Sequence, residues 1–326
     1  MFDDIGQAAA SLLRQIAAIF GGGPTADETE PRAARIFEIE GGVGPAWGTL
    51  SGLTAHPTDP TRLFAVTDQD SPPLRILEIA VGKESAEVVR QIMLAMPGLD
   101  GLDTEALAMT PGGGFWLASE GSTGNVPPNL LIEVDEAGRY LRTVGLPPEI
   151  ARRMPKKGFE GIALEPISTG ERLVVAFQAP IDGDPHDMTR IATVDPATGD
   201  WRFHFYRLET TAVGDVTGLS EVLHLGGGRF AAIERDAKGG KRSIKRIATF
   251  VLAGRAGATP SGSPTAVEKH FAVDLVPLFL DAGRKVEKEI EGLAVAADGA
   301  VYVLTDNDNE RPTLLLRVGP ASTHLA

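Results

Sequence analysis

A tight turn followed by an alternating apolar run recurs along this chain at near-constant spacing. "LSGLTAHP" stands at 50–57, "TEALAMTP" at 104–111, "FEGIALEP" at 159–166 and "IEGLAVAA" at 290–297. Taking the residue before each turn as a marker gives Ser51, Glu105, Glu160, Thr217 and Glu291, at intervals of 54, 55, 57 and 74 residues. Self-similarity at such a period is the signature of a fold built from one repeated supersecondary unit. The long last interval holds "AKGGKRSIKR" and "AGRAGATPSGSPTA", which read as loop insertions.

Within each repeat the order is the same. From Arg35 onward, runs of four to eight residues rich in Val, Ile, Leu and Phe alternate with Gly, Pro and Asp turns, a strand pattern with no long amphipathic helix between. A first strand follows the marker. A second strand ends on an acid or amide: Asp68, Glu120, Gln178, Glu234 and Asp306. Third and fourth strands follow, except that the last repeat lacks a fourth. "RIFEIE" at 35–40, ahead of the first repeat and otherwise unpaired, supplies it. A four-stranded unit repeated about an axis and closed by a strand from the opposite terminus is a β-propeller, which leaves no sheet end open to aggregation. The reading is all-β with five four-stranded blades. Six is the alternative, if the long interval hides a degenerate blade.

The first strand of a blade lies innermost, and the second runs antiparallel beside it. The start of the first strand and the end of the second therefore meet at one mouth of the channel. That places Ser51, Glu105, Glu160, Thr217 and Glu291 with Asp68, Glu120, Gln178, Glu234 and Asp306. Clustered carboxylates raise one another's pKa or require a counter-charge. A hard cation supplies it: calcium takes about six to eight oxygen ligands from carboxylates, amides and water. Zinc and copper fit poorly, because the six His are scattered and there is no Cys. Acids at strand ends and tight turns also serve simply to accept backbone N–H groups.

Charge narrows the partners. Asp and Glu exceed Lys and Arg by 44 to 31, a formal charge of −13, which repels nucleic acid and anionic membrane. The absence of Cys removes disulfide and thiolate chemistry. Residues 1–34 read as a short amphipathic helix, with Ile5, Leu12, Ile16 and Ile19 on one face, and a Gly/Pro linker at Gly21–Pro24. The run is too short to span a bilayer, and Asp3 and Asp4 stand where a signal peptide carries positive charge. The expectation is a soluble chain with no visible signal peptide and no transmembrane segment. Compartment and oligomeric state stay open.

Three further stretches carry charge. "TDNDNE" at 305–310 alternates Asp306, Asp308 and Glu310 but lacks the glycine of an EF-hand loop. "IDGDPHD" at 181–187 reads as a polar turn, and "KGGKRSIKR" at 238–246 as a basic loop without P-loop spacing. Lys156 and Lys157, directly before Phe159-Glu160, are the cations best placed by sequence to meet an anion at the mouth.

In order, "LSGLTAHPTDPTRLFAVTDQD", "TEALAMTPGGGFWLASEGS", "KKGFEGIALEP", "GLSEVLHLGGGRFAAIERD" and "EIEGLAVAADGAVYVLTDNDN" resemble the phytase-like esterase family, over roughly residues 36–318. The chain departs from that pattern at Lys156-Lys157, where asparagine is usual, and at Gln69, where arginine follows the aspartate. The resemblance makes 35–326 a phytase-like propeller domain. It singles out Asp68, Glu105, Glu120, Glu160, Glu234, Arg235, Glu291 and Asp306, and implies hydrolysis of an ester or phosphate ester in a family with many exported members. The resulting expectation is a calcium-dependent hydrolase of a small ester or anionic substrate. Glu105, Glu160, Glu291 and Asp306 hold the metal, Glu120 or Glu234 acts as base with Arg235, and Lys156, Lys157 and Asp68 bind substrate. The alternative is a non-catalytic propeller that binds a small ligand or protein partner at the same mouth.

Overall fold

The structure, a computed structural model, describes residues 34–326 apart from 43, 69–71, 100, 122, 126, 169, 212–213, 253–256 and 307–311. The expected N-terminal helix, Gln69, Asp308 and Glu310 lie outside the described residues.

The chain opens with β1 (Arg35–Glu40). A four-strand series follows: β2 (Leu50–Ala55), β3 (Arg62–Thr67), β4 (Arg75–Val81) and β5 (Ala86–Met93). The second series is β6 (Asp103–Met109), β7 (Phe115–Glu120), β8 (Leu130–Val134) and β9 (Tyr140–Gly145). The third is β10 (Phe159–Ile167), β11 (Gly170–Phe177), β12 (Met188–Asp195) and β13 (Asp200–Arg207). The fourth is β14 (Gly218–Gly226), β15 (Arg229–Arg235), β16 (Lys245–Val251) and β17 (Lys269–Asp274). The last is β18 (Ile290–Val295), β19 (Ala300–Thr305) and β20 (Leu314–Pro320). Short helices α1 (Pro148–Ala151), α2 (Leu275–Asp281) and α3 (Ala321–His324) lie in the connections and at the C-terminus.

The second, third and fourth series each form an antiparallel four-stranded sheet in chain order. The remaining strands form one eight-stranded sheet, β18-β19-β20-β1-β5-β4-β3-β2. Its centre is the closure expected from the sequence. Arg35–Glu38 of β1 pair antiparallel with β20, while Ile39 and Glu40 run on parallel to Ala86 and Glu87 of β5. Strand β1 thus completes the last series and joins it to the first. The first strands pack in a closed ring: β2 on β6, β6 on β10, β10 on β14, β14 on β18, and β18 back on β2. The chain is an all-β propeller.

Burial follows from this arrangement. Both faces of each sheet meet a neighbour, so inner strands are apolar almost continuously rather than alternately, as in β11 and β19. Separate apolar clusters fill the spaces between successive sheets. Phe64, Leu117 and Ile132 lie between the first and second series, and Phe159, Trp201 and Phe203 between the second and third.

Each first strand carries a β-bulge near its start, and small residues there let the ring close. The bulge lies at Ser51/Thr54, Thr104/Ala106, Phe159/Gly161, Leu219/Glu221 and Ile290/Gly292. A Cβ on Gly161 would lie 2.5 Å from the Val222 nitrogen, and one on Gly52, at φ +61°, 2.7 Å from the Ala106 Cα. Bulges bend a strand and re-aim its side chains. Here the extra residue is Glu105, Glu160 or Glu291 in three strands.

Candidate active site

The register of each first and second strand sets the mouth. Opposed pairs are Asp103 with Glu120, and Gly218 with Arg235. Phe159 opposes Phe177 and Ile290 opposes Thr305, which sets Gln178 and Asp306 one step further out. Leu50 opposes Thr67 and does the same for Asp68. The fourth series departs from the sequence reading. The bulge there puts Ser220, not Thr217, at the marker position, and Arg235, not Glu234, at the strand end. A one-residue slip exchanges the two faces of a strand, so Arg235 enters the mouth and Glu234 turns into the blade.

Glu234 is 1% exposed and engaged throughout. It accepts from Tyr206 Oη at 3.1 Å, from Lys269 Nζ at 2.7 Å, and from Thr217 Oγ1 and the Glu209 N–H. These bonds tie the second and fourth strands of one sheet to Thr217, just ahead of its first strand, and to Tyr206 and Glu209 at the end of the sheet before it. Asp68 accepts from Thr49 Oγ1 at the corresponding corner of the first series.

The other acids do converge. Carboxylate oxygens of Asp103, Glu105 and Glu120 lie within 4.8 Å of one another, a spacing that one metal ion can span. Glu120 Oε1 accepts the Gly158 N–H at 2.7 Å, which docks the loop bearing Lys156 and Lys157 beside it. Burial pushes Glu120 up to about 7; the Gly158 bond opposes the shift, Asp103 adds to it, and both lysines oppose it. Burial and then the charges of Glu160, Asp103, Glu291 and Glu120 hold Glu105 well above the usual carboxylate range.

Glu160 is 5% exposed, and its carboxylate makes no hydrogen bond or ion pair among the described residues. Burial raises its pKa well above normal, and Glu291 and Glu120 raise it further against the pull of Arg235. Arg235 forms ion pairs through Nη2 to Glu291 and through Nη1 to Glu289. Burial alone would lower the Arg235 pKa, but Glu291, Glu289 and Glu160 more than reverse this and keep it charged. Burial lifts Glu291 to about 7, with Arg235 opposing and Glu289 and Asp306 adding. Asp306 therefore lies within electrostatic reach of Glu291.

Asp103 and Glu289 are not among the residues expected from the sequence. Each stands two positions before a marker, in "DTE" and "EIE", and strand alternation brings i and i+2 to one face. The "IDGDPHD" loop is structural: Asp184 bonds Arg190 Nε and Arg153 Nη2, both at 2.6 Å. In the basic loop, Lys245 is buried and bonded to the Asp236 and Lys288 carbonyls, while Lys238 is exposed and paired at 3.4 Å with Asp215.

The family model described as phytase-like, "esterase-like activity of phytase", matches residues 45–309. The chain belongs to the phytase-like family. No curated protein matches it. Among solved structures it is similar to an oxidoreductase (glucose dehydrogenase) from Thermus thermophilus, with 14% identity over 84% of each chain and a TM-score of 0.45. The soluble aldose sugar dehydrogenase of Escherichia coli aligns at 10% identity over 88% of this chain and 100% of its own, with a TM-score of 0.44. A xylan β-1,4-xylosidase from Bacillus halodurans C-125 aligns at 12% identity over 83% of this chain and 53% of its own, with a TM-score of 0.45. Among the described residues no helix is long and apolar enough to cross a membrane.

Proposed function

We propose that this phytase-like protein hydrolyses ester or phosphoester bonds with the help of a divalent cation, calcium by its oxygen-only donor set. The observation that carries the reading is a set of three carboxylates within 4.8 Å of one another, with Glu160 buried beside them and its carboxylate free of hydrogen bonds and ion pairs among the described residues. Asp103, Glu105 and Glu120 would hold the cation. The mouth itself favours a guest with positive charge, because Arg235 is already committed to Glu289 and Glu291. A bound calcium ion polarises an ester or phosphoryl oxygen.

The protein's own groups supply the rest. Lys156 and Lys157, exposed on the loop docked to Glu120, bind anionic oxygens of the substrate. Glu160, made more basic than an ordinary carboxylate by its surroundings, takes the proton of the attacking water and returns it to the leaving oxygen. Arg235 holds Glu291 and Glu289 in place rather than touching substrate. Glu234 acts as a blade tie. The architecture proposed is five blades, the eight-stranded sheet counting as two joined at β1; the ring of five first strands supports it.

Turnover of 4-nitrophenyl acetate and 4-nitrophenyl phosphate, with calcium and with chelator, tests the proposal. Hydrolysis should require the cation and fall by about 100-fold or more in Glu160→Gln. Absence of turnover in protein that demonstrably binds calcium would make the mouth a binding site only, the non-catalytic alternative.

A further inference from the structure

The channel is divided. Where the other first strands carry Gly52, Ala106, Gly161 and Gly292 at the bulge, β14 carries Glu221, which is 1% exposed. Its Oε2 accepts the Leu53 N–H of β2 at 3.2 Å, and its Oε1 accepts its neighbour Val222 N–H at 2.9 Å. The Ile162 N–H of β10 bonds it as well. In the ring, β14 touches β10 and β18, while β2 touches β18 and β6. A bond from β14 to β2 therefore crosses the interior of the ring. The Glu221 carboxylate closes the channel and satisfies inner-edge N–H groups of three first strands, which would otherwise be buried without acceptors.

Beyond this partition, at the far ends of the same strands, lies a cavity of about 350 Å³. Its wall includes Leu53, Leu107, Ile162, Val222, Leu223 and Val295, all close above the plug. Among the described residues no Asp, Glu, Lys or Arg lines it, although the chain as a whole carries a formal charge of −13. Among the described residues the titratable side chains on the wall are His56 and His224, and burial pushes His224 down to about 4, which leaves it neutral at neutral pH. Hydroxyls of Thr54, Thr58 and Thr110 stand toward the outer ends of the strands. The volume is within the range of small-molecule sites, roughly 300–1,000 Å³.

We propose that this blind cavity is a second ligand site, separate from the acidic mouth, that takes a neutral and largely apolar small molecule with a hydroxyl or carbonyl at its outer end. A charged ligand would enter without a counter-charge, and burial of an unpaired charge is strongly disfavoured. Size, a closed floor and an uncharged wall all select the same class of guest.

The test uses full-length protein and three isosteric probes: 2-naphthalenemethanol, 2-naphthoate and 2-naphthylmethylammonium. Methyl NMR reads Leu53, Leu107, Ile162, Leu223 and Val295. The neutral probe should shift these methyls saturably, and both charged probes should bind at least about tenfold more weakly. Leu223→Trp and, separately, Val295→Trp should fill the space and abolish the shifts, while calcium binding at the other mouth is unchanged. Equal binding of all three probes, shifts confined to residues near Glu105, or no saturable shift in the wild-type protein would each overturn the proposal.

Discussion

The Gly158 N–H donates to Glu120 Oε1 at 2.7 Å, so the loop that carries Lys156 and Lys157 is fastened to the end of the second strand of the neighbouring sheet. The fastening leaves no room for a side chain. A Cβ on Gly158 would lie 1.9 Å from Asn129 Oδ1, an atom that already accepts the Phe159 N–H at 3.0 Å. Gly158→Ala should therefore push the loop away from Glu120 and cost on the order of 2–3 kcal/mol. Denaturant unfolding measures the cost, and kcat/KM should fall by about tenfold or more as Lys156 and Lys157 leave the mouth. Adding Asn129→Ala removes the clash and lets the loop return to Glu120, so it should restore much of the activity but only part of the stability, because the Phe159 N–H still lacks its Asn129 acceptor.

Glu120 and Glu291 both titrate at about 7 in the folded protein, against an ordinary glutamate value of 4.5. A raised folded pKa means that the native state holds its proton after the unfolded chain has released it. The associated stability is complete below about pH 4.5 and is lost as pH rises through about 7. His224 works in the opposite sense, because its folded pKa of about 4 removes stability as pH falls. In chelator, the melting temperature should drop by several degrees between pH 5 and 8, and Glu120→Gln should flatten that slope. Calcium should restore more stability at pH 8 than at pH 5, because the carboxylates then meet it already ionised. A slope equal in wild type and Glu120→Gln would rule out this origin.

Asp103 is not legible from the repeat pattern, yet it completes the set with Glu105 and Glu120. Asp103→Asn and Glu105→Gln should each weaken calcium binding on the order of 10–100-fold, through lost ligand charge. Isothermal titration calorimetry and terbium luminescence both read this. Glu289→Gln, which removes a partner of Arg235 and not a ligand, should change affinity far less.

The period of the turn motif and the unpaired "RIFEIE" segment are enough to read the propeller and its closure at β1, because sheet topology follows from strand count and spacing. Convergence of Glu105, Glu160, Glu291 and Glu120 follows from the same geometry. What the sequence conceals is register. "TGLSEV" offers Thr217-Gly218-Leu219 as the motif, but the bulge falls three residues later, at Ser220. The glycine that would have marked it is Glu221, retained by three backbone N–H groups that come together only once the ring is assembled. A bulge adds a residue without any composition signal of its own, so Glu234 and Arg235 exchange faces unannounced.

That exchange makes a direct prediction. Glu234 binds Tyr206, Thr217, Lys269 and the Glu209 N–H, and lies away from the acids of the mouth. Glu234→Gln removes the charge facing Lys269 and puts an amide donor where only acceptors fit. It should cost on the order of 2–3 kcal/mol, the scale of hydrogen bonds to a charged group. Calcium affinity and KM in the folded fraction should stay within about threefold of wild type, since nothing at the mouth loses a partner. Arg235→Met should do the reverse. It leaves Glu289 and Glu291 unpaired beside Glu160, so calcium should bind more tightly and the pH at which it binds should shift upward. Titration calorimetry of the two variants across pH 5–8 separates these outcomes. If Glu234→Gln abolished calcium binding while leaving the unfolding midpoint unchanged, the placement of Glu234 inside the blade would be wrong.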